Sequence, residues 1–242
     1  MLAIIAATKD ELKYFLRHTG INDREVVNGV QLIRLTCSGT SMVLAISGVG
    51  MKRARTAAKV LTGKFNISLI ISVGFCGSLK KQLTTGDAVL ASWVERSGSI
   101  GKYILYKDVI ESLSYMNKGG ILTSRRFINR SKQKKALAGE TNASCVDMET
   151  WSIAKSAEDS GVPVMALRVI TDGFYTDLPE MEKLFTRKQR ISLIRAMKYF
   201  IRNPHLLLPF LKFKYFDIDN ASRSLNDSLV KTLNALPEEF SN

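Results

Sequence analysis

A chain of 242 residues with 45% hydrophobic content is long enough to bury a substantial core as one globular domain carrying at most an appendage. Its 35 Lys plus Arg against 22 Asp plus Glu give a formal charge of +13, which favours polyanions or anionic membrane surfaces, and a dense basic block begins at Lys183. His18 and His205 leave a histidine-rich metal site or a histidine-based triad little to draw on, the cysteines Cys37, Cys76 and Cys145 lack ligand spacing and read as reduced core thiols, and no leader or spanning run stands out, so the expectation is a cytoplasmic protein with no metal and no cofactor.

Residues 2–7 form an apolar run fit for a buried first strand, and Asp10-Glu11 opens a helix through about Arg17. Taken alone, Glu11 there matches the helix dipole. Residues 20–28 read as a turn region, with neighbouring strands at 30–36 and 42–47. Ser47-Gly48-Val49-Gly50 then leads into an amphipathic segment over 51–61. Arg53 occupies the third glycine position of a G-x-G-x-x-G, which leaves a tight turn and excludes a dinucleotide fingerprint. Residues 67–73 are a fully apolar strand ending in Gly74-Phe75-Cys76-Gly77-Ser78-Leu79, whose glycines permit close backbone approach to a ligand. Further strands are expected from Thr85-Gly86-Asp87-Ala88-Val89-Leu90 and over 121–124.

The stretch 144–173 brings three carboxylates to the ends of one unit. Asp147 and Glu149, two positions apart, point the same way in an extended segment, and Met148 points to the other side. A helix over 150–160 with Ile153, Ala154 and Ala157 on its apolar side stops at Gly161. Residues 164–170 then read as a strand buried on both faces of a parallel sheet. Asp172 follows at the strand's carboxyl end, where open α/β sheets bind ligands. The same residues also fit plainer roles, Asp147 as a helix cap, Glu149 as a dipole partner and Asp172 as the start of a turn. Alternation of strands and helices predicts a three-layer α/β/α domain with a central mixed sheet over 1–178. A basic amphipathic helical C-terminal extension over 179–242 is expected to pack on or beside it. That extension has a helical pattern over 180–203, interruptions at Pro204 and Pro209, and a last amphipathic helix over 221–236. Ile191, Ile194, Met197 and Ile201 make its apolar stripe, with Lys188, Arg195, Lys198 and Arg202 on another face.

Val146-Asp147-Met148-Glu149 followed by Arg168-Val169-Ile170-Thr171-Asp172 resembles the paired V-E-M-E and R-x-I-S-D signature of the methylthioadenosine/S-adenosylhomocysteine nucleosidases, members of the purine nucleoside phosphorylase superfamily. Ala6-Ala7-Thr8-Lys9-Asp10-Glu11, the Ser47-to-Gly50 turn, the Gly74-to-Leu79 turn and Ser124-Arg125-Arg126-Phe127-Ile128 are similar to further family segments, so the resemblance covers residues 1 to 175. It implies a nucleoside phosphorylase-like fold, a homo-oligomer, and cleavage of the N-glycosidic bond of an adenosine-type nucleoside. By resemblance Asp172 protonates the leaving purine, Glu11 activates water, Glu149 grips the ribose hydroxyls, Met148 lies under the ribose and Phe127 stacks on the base. Ser47, Gly77, Thr171 and Asp147 complete the implied substrate-binding set, Thr171 keeping the hydroxyl of the usual serine and Asp147 being one methylene short of the usual glutamate.

Two features bear on the co-substrate and the partner. Phe75 stands where the family's serine would contact phosphate in phosphorylases, which favours water, while Lys52, Arg53 and Arg55 keep phosphate open as the alternative. Between Trp93 and Ile121 the chain is shorter than expected and lacks the Pro/Gly-rich segment that helps close the family's site and build its dimer. Residues 205–216 interleave leucine and aromatic residues with lysine, a composition suited to a membrane interface; no nucleic-acid module accompanies the charge, so nucleic acid is not an expected partner. Such a tail beside such a site is similar to the hopanoid-associated branch, which implies a lipid-linked adenosine such as adenosylhopane as substrate and peripheral membrane contact. A third reading is a non-catalytic nucleoside-binding or membrane-docking protein that has kept the fold.

Overall fold

Strand β1 (Leu2–Ala6) is buried along its whole length because its alternating side chains serve two cores. Ala3 and Ile5 join one hydrophobic cluster, and Leu2, Ile4 and Ala6 join the other. The computed structural model that shows this describes residues 1–37, 39–106, 113, 116–180, 199–237 and 240. Parallel neighbours β4 (Thr40–Ile46) and β5 (Leu69–Ser78) flank β1, and β10 (Val164–Asp172), also fully buried, pairs in parallel with β5. Four carboxyl ends therefore lie on one side of the sheet.

Beyond β10 the sheet becomes mixed. β6 (Ala88–Arg96) runs antiparallel to β10, β8 (Asn117–Thr123) parallel to β6, β9 (Cys145–Asp147) parallel to β8, and β9 returns antiparallel to β5. Five strands thus close on themselves, a closure that local sequence pattern does not reveal. A short β7 (Lys102–Ile104) pairs with β6. At the other end β3 (Val30–Cys37) extends the sheet from β4, and β2 (Gly20–Val27) pairs antiparallel with β3. The turn expected over 20–28 is therefore a strand. None of its residues is fully buried, so no apolar alternation marks it, and the turn itself is Asn28-Gly29, both at positive φ as a two-residue hairpin requires.

Helices α1 (Lys9–Leu12), α2 (Met51–Lys64), α3 (Ser131–Glu140), α4 (Thr150–Glu158), α5 (Leu207–Lys212) and α6 (Ile218–Asn234) complete the description. α2 and α4 cover the Ala3 and Ile5 face, α1 and α6 the Leu2 and Ile4 face, giving the three layers. The helix expected over 10–17 is split, since α1 ends at Leu12 and a 3-10 turn follows at Phe15–Arg17; the three-residue spacing of buried Leu12 and Phe15 suits that tighter turn. Pro209 does not interrupt the C-terminal region, because it lies in the first turn of α5 where its missing N–H is not needed. A π-helical segment, Phe213–Asp217, then joins α5 to α6. Of the expected C-terminal stripes, Ile201 and Arg202 are exposed, while Lys183, Lys188, Ile191, Ile194, Arg195, Met197 and Lys198 lie outside the described residues. Cys76 and Cys145 are buried and Cys37 half-buried, all three free.

Ala221, Leu225 and Leu229 of α6 are fully buried in the same cluster as Leu2, Ile4 and Leu44, so α6 is a layer of the core. Leu225→Ala should accordingly cost about 2–5 kcal/mol, within one cooperative urea transition. A loss below about 1 kcal/mol, in the range of surface substitutions, would show α6 to be peripheral.

Candidate active site

The loops leaving the carboxyl ends of β1, β4, β5 and β10 converge with the β9–α4 junction on a cavity of about 610 Å³. Glu11 reaches it from the third position of α1. The Thr8 N–H donates to its Oε2 at 2.7 Å, the capping-box bond that fixes this helix start, and the Phe75 N–H donates to Oε1 at 3.3 Å. A Cβ at Gly74 would stand 2.8 Å from Glu11 Oε1, and one at Gly77 would stand 3.1 Å from Asp172 Oδ2. The glycines of β5 thus admit the protein's own carboxylates as well as any ligand. Burial pushes the Glu11 carboxyl up, opposed by its backbone donors and by the Arg168 charge, which makes it a readier proton acceptor than a solvated glutamate.

Glu149 is the N-cap residue of α4. Its Oε1 accepts from the Gly50 N–H at 2.7 Å, at the start of α2, and its Oε2 from the Met148 N–H at 3.2 Å. Burial first, and the neighbouring Asp147 charge second, push its carboxyl up to about 8. Asp147 itself is committed inward. Its Oδ1 accepts from Thr123 Oγ1 at 2.6 Å, and its Oδ2 accepts from Arg168 Nη2 at 2.9 Å, Arg168 Nε at 3.1 Å, the Thr150 N–H at 3.0 Å and the Thr150 hydroxyl. Asp147 therefore bonds the first residue of α4 from outside the helix, the cap position that the plainer reading gave it being filled by Glu149, and it also forms part of the cavity wall.

Asp172 ends β10. Its Oδ1 accepts from Thr171 Oγ1 at 2.9 Å, and its Oδ2 forms an ion pair with the fully buried Lys134. Burial pushes the Asp172 carboxyl up, and Lys134 opposes that shift. Met148, Phe127, Gly77 and Thr171 line the cavity with these carboxylates. Ser47 does not reach its wall; it lies behind, beside Glu149 and Arg168, with its hydroxyl donating to Gly48 O at 2.8 Å. The arrangement offers two carboxyls raised by burial, Glu11 and Glu149, and a further acid held against a cation, around a largely apolar space.

Sequence reasoning places none of Lys134, Arg168, Phe213 and Ile218 at the site, and reads Phe213 only as part of a membrane-facing stretch. Lys134 had a signal: it lies three and four residues before Leu137 and Ala138, which pack inward, so it occupies the inward side of α3. Arg168 interrupts an otherwise apolar strand buried on both faces, a position that demands an anionic partner. Phe213 and Ile218 line the cavity from the C-terminal helices, and only the tertiary arrangement brings them there.

Residues 1–108 and 111–202 match the family model described as the phosphorylase superfamily. The chain is 30% identical over 156 residues to a 5′-methylthioadenosine/S-adenosylhomocysteine nucleosidase of an Exiguobacterium species, covering 54% of this chain and 67% of that protein. It is 23% identical over 196 residues to the aminodeoxyfutalosine nucleosidase of Helicobacter pylori, covering 71% and 85%. Its fold is similar to the native structure of the Helicobacter pylori futalosine hydrolase, with a TM-score of 0.73 over 97% of each chain at 16% identity. The similarity thus continues past residue 175, where the quoted motifs end, because the C-terminal helices are themselves part of the shared fold.

The raised Glu149 carboxyl has a signed consequence for stability. Below about 4.5 it is protonated whether folded or unfolded; between there and about 8 the folded chain keeps a proton that the unfolded chain has lost, so this group's contribution falls as pH rises. Glu149→Gln removes the titration, and its Gly50 bond survives because the amide oxygen still accepts. The melting temperature of the variant should match wild type near pH 5 and exceed it by a margin that grows toward pH 8. A margin that shrank with rising pH would contradict the assigned shift.

Proposed function

The chain belongs to the phosphorylase superfamily, and from that membership we propose that it is a nucleosidase, hydrolysing the N-glycosidic bond of an adenosine-type nucleoside to release the base. The observation that carries this reading is the convergence of Glu11, Glu149 and Asp172, from the ends of three different elements, on one apolar cavity. Asp172 gives its proton to N7 of the purine, the C1′–N9 bond breaks with its electron pair leaving on the base, and the ribose becomes oxocarbenium-like. Glu149 accepts hydrogen bonds from the 2′- and 3′-hydroxyls, and because its carboxyl is pushed up to about 8, it offsets the positive sugar to the extent that the developing charge draws it into its ionised form. Glu11 takes a proton from water, whose oxygen bonds to C1′ and completes hydrolysis. Phe127 stacks on the purine, Met148 packs beneath the ribose, Thr171 and Gly77 flank the acid, and Asp147 holds the Glu149 segment through Arg168.

Water is favoured over phosphate as the acceptor. Phe75 offers no hydroxyl at the position its N–H occupies beside Glu11, and a carboxylate there repels a phosphate dianion. The relatives named above are nucleosidases or hydrolases by name, which supports the same choice.

The 5′ side of the substrate is read from the C-terminal helices. Leu206, Phe210 and Phe213 are buried, whereas Leu208, Tyr215 and Phe216 are 77%, 61% and 71% exposed beside the exposed Lys212 and Lys214. One segment therefore gives Phe213 to the cavity and turns an apolar, basic face outward. This supports a substrate that is an adenosine carrying a lipid at its 5′ end, such as adenosylhopane, taken from an anionic bilayer on which the protein docks peripherally.

Incubation of the protein with adenosine-type nucleosides, with and without phosphate, tests the chemistry. Free base and free sugar should appear without phosphate, Glu11→Gln should abolish them, and Asp172→Asn should cut turnover by at least about 10². Strict phosphate dependence with a sugar 1-phosphate product would establish a phosphorylase instead.

Vesicle co-sedimentation tests the docking. Binding should require anionic lipid, weaken with salt and largely vanish when residues 204 to 216 are made polar, each basic residue near the surface contributing about 1 kcal/mol. Absence of binding at low salt would leave an unanchored nucleoside as substrate.

A further inference from the structure

We propose that Lys134 is a positioning residue for the proton donor Asp172, fixing the orientation of its carboxyl group and stabilising the carboxylate that forms when the proton leaves. This rests on the nucleosidase reading. The side chain of Lys134 has no solvent exposure, and every acceptor it meets belongs to residues 172–176: Asp172 Oδ2, Gly173 O at 2.7 Å, Asp172 O at 3.4 Å and Thr176 O at 3.4 Å. An ammonium ion has three protons and no acceptor, so its whole bonding capacity is spent on the acid and on the turn that carries it. A buried cation is costly unless compensated in this way, and a core lysine that braced only helix packing would be better replaced by leucine or methionine.

The geometry divides the two carboxyl oxygens. Oδ2 faces the ammonium, which leaves Oδ1 to carry the transferable proton. Thr171 Oγ1 lies 2.9 Å from Oδ1 and 3.3 Å from Cys76 O, so its hydroxyl can donate to Oδ1 when that oxygen is ionised and turn to Cys76 O when Oδ1 is protonated. Both protonation states are thereby satisfied with no movement of the backbone. As the proton passes to the purine, the neutral carboxyl beside Lys134 becomes an ion pair, and the gain of that attraction in a desolvated site favours the transfer.

The other groups around Asp172 do not duplicate this. Asp217, from the π-helical segment, is an acid whose carboxyl is raised by burial, lowered by Lys212 and raised by Asp172. Cys76 of β5 has a thiol pushed well up by burial and stays neutral, and Asp147 of β9 is paired with Arg168. Among the described residues Lys134 is the cation in contact with Asp172, so its removal has a defined sign: the Asp172 carboxyl must hold its proton to higher pH.

The test compares wild type with Lys134→Met, which keeps the stem and removes the charge, and with Lys134→Arg, which keeps the charge. In protein labelled with ¹³C at aspartate carboxyls, with the Asp172 signal identified by its loss in Asp172→Asn, the Asp172 midpoint should rise in Lys134→Met and return toward wild type in Lys134→Arg. Turnover on a nucleoside should fall at least about 10-fold in Lys134→Met with little change in KM, and the alkaline limb of its pH profile should move to higher pH. If Lys134→Met does not fold, Lys134→Ala supplied with ethylammonium serves in its place, with the wild-type midpoint regained as the amine is added. An Asp172 midpoint that is unchanged by loss of the charge overturns the proposal. Because the titration needs no turnover, an inactive wild-type protein would sink the nucleosidase reading while Lys134 would still be judged by the signal of Asp172.

Discussion

The site depends on the ion pair between Arg168 and Asp147. Arg168, in the middle of β10 and 1% exposed, also donates to Ser72 O and Ser72 Oγ at 2.9 Å each and to Thr150 Oγ1 at 2.6 Å. One guanidinium thus ties β10 to β5, to the end of β9 and to the start of α4. Only arginine's planar set of donors can satisfy so many acceptors from different elements at once. Removing one partner of such a pair strands a buried charge, at a cost of about 3–5 kcal/mol. The pair also sets the local field: the Asp147 charge raises the Glu149 carboxyl, while Arg168 lowers both Glu149 and Glu11. Glu149 lies two residues from Asp147, so the pair that helps place it also adds to the larger effect of burial on its protonation.

What could be read in advance follows from what local pattern encodes. β1, β5 and β10 were legible because burial on both faces leaves an unmistakable apolar run. β2 was not, because an exposed edge strand places no constraint on the polarity of its residues. Glu11, Glu149 and Asp172 were legible through motifs whose spacing the chain keeps, and all three line one cavity. Ser47 belonged to a matching turn, yet its side chain lies behind the wall, since a shared turn fixes the backbone and leaves the side-chain direction to its neighbours. Lys134 sits between Lys132 and Lys135, and residue type does not single it out; only its spacing to Leu137 and Ala138 marks it as the inward one.

The three carboxyl groups illustrate a tension between holding the fold and serving chemistry. Each is raised above its ordinary value by burial, so each would be happier neutral, and each is kept partly ionisable by a donor or a cation. The donors differ: two backbone N–H groups for Glu11, a helix start for Glu149 and a lysine for Asp172. Environments that differ in this way give three like carboxyl groups different balances between the neutral and the ionised form.

The last wall of the cavity comes from the end of the chain. During synthesis β1 emerges before the other described strands, and Phe213, Ile218 and the core-facing side of α6 emerge only after the ten described strands. Until then the Leu2 and Ile4 face of the sheet lacks the α6 part of its cover and the carboxylates lack one side of their enclosure. Synthesis order therefore couples the two: an apolar face of the sheet and one side of the pocket are closed by the same late-arriving helices, so a chain cut before residue 213 would leave both open.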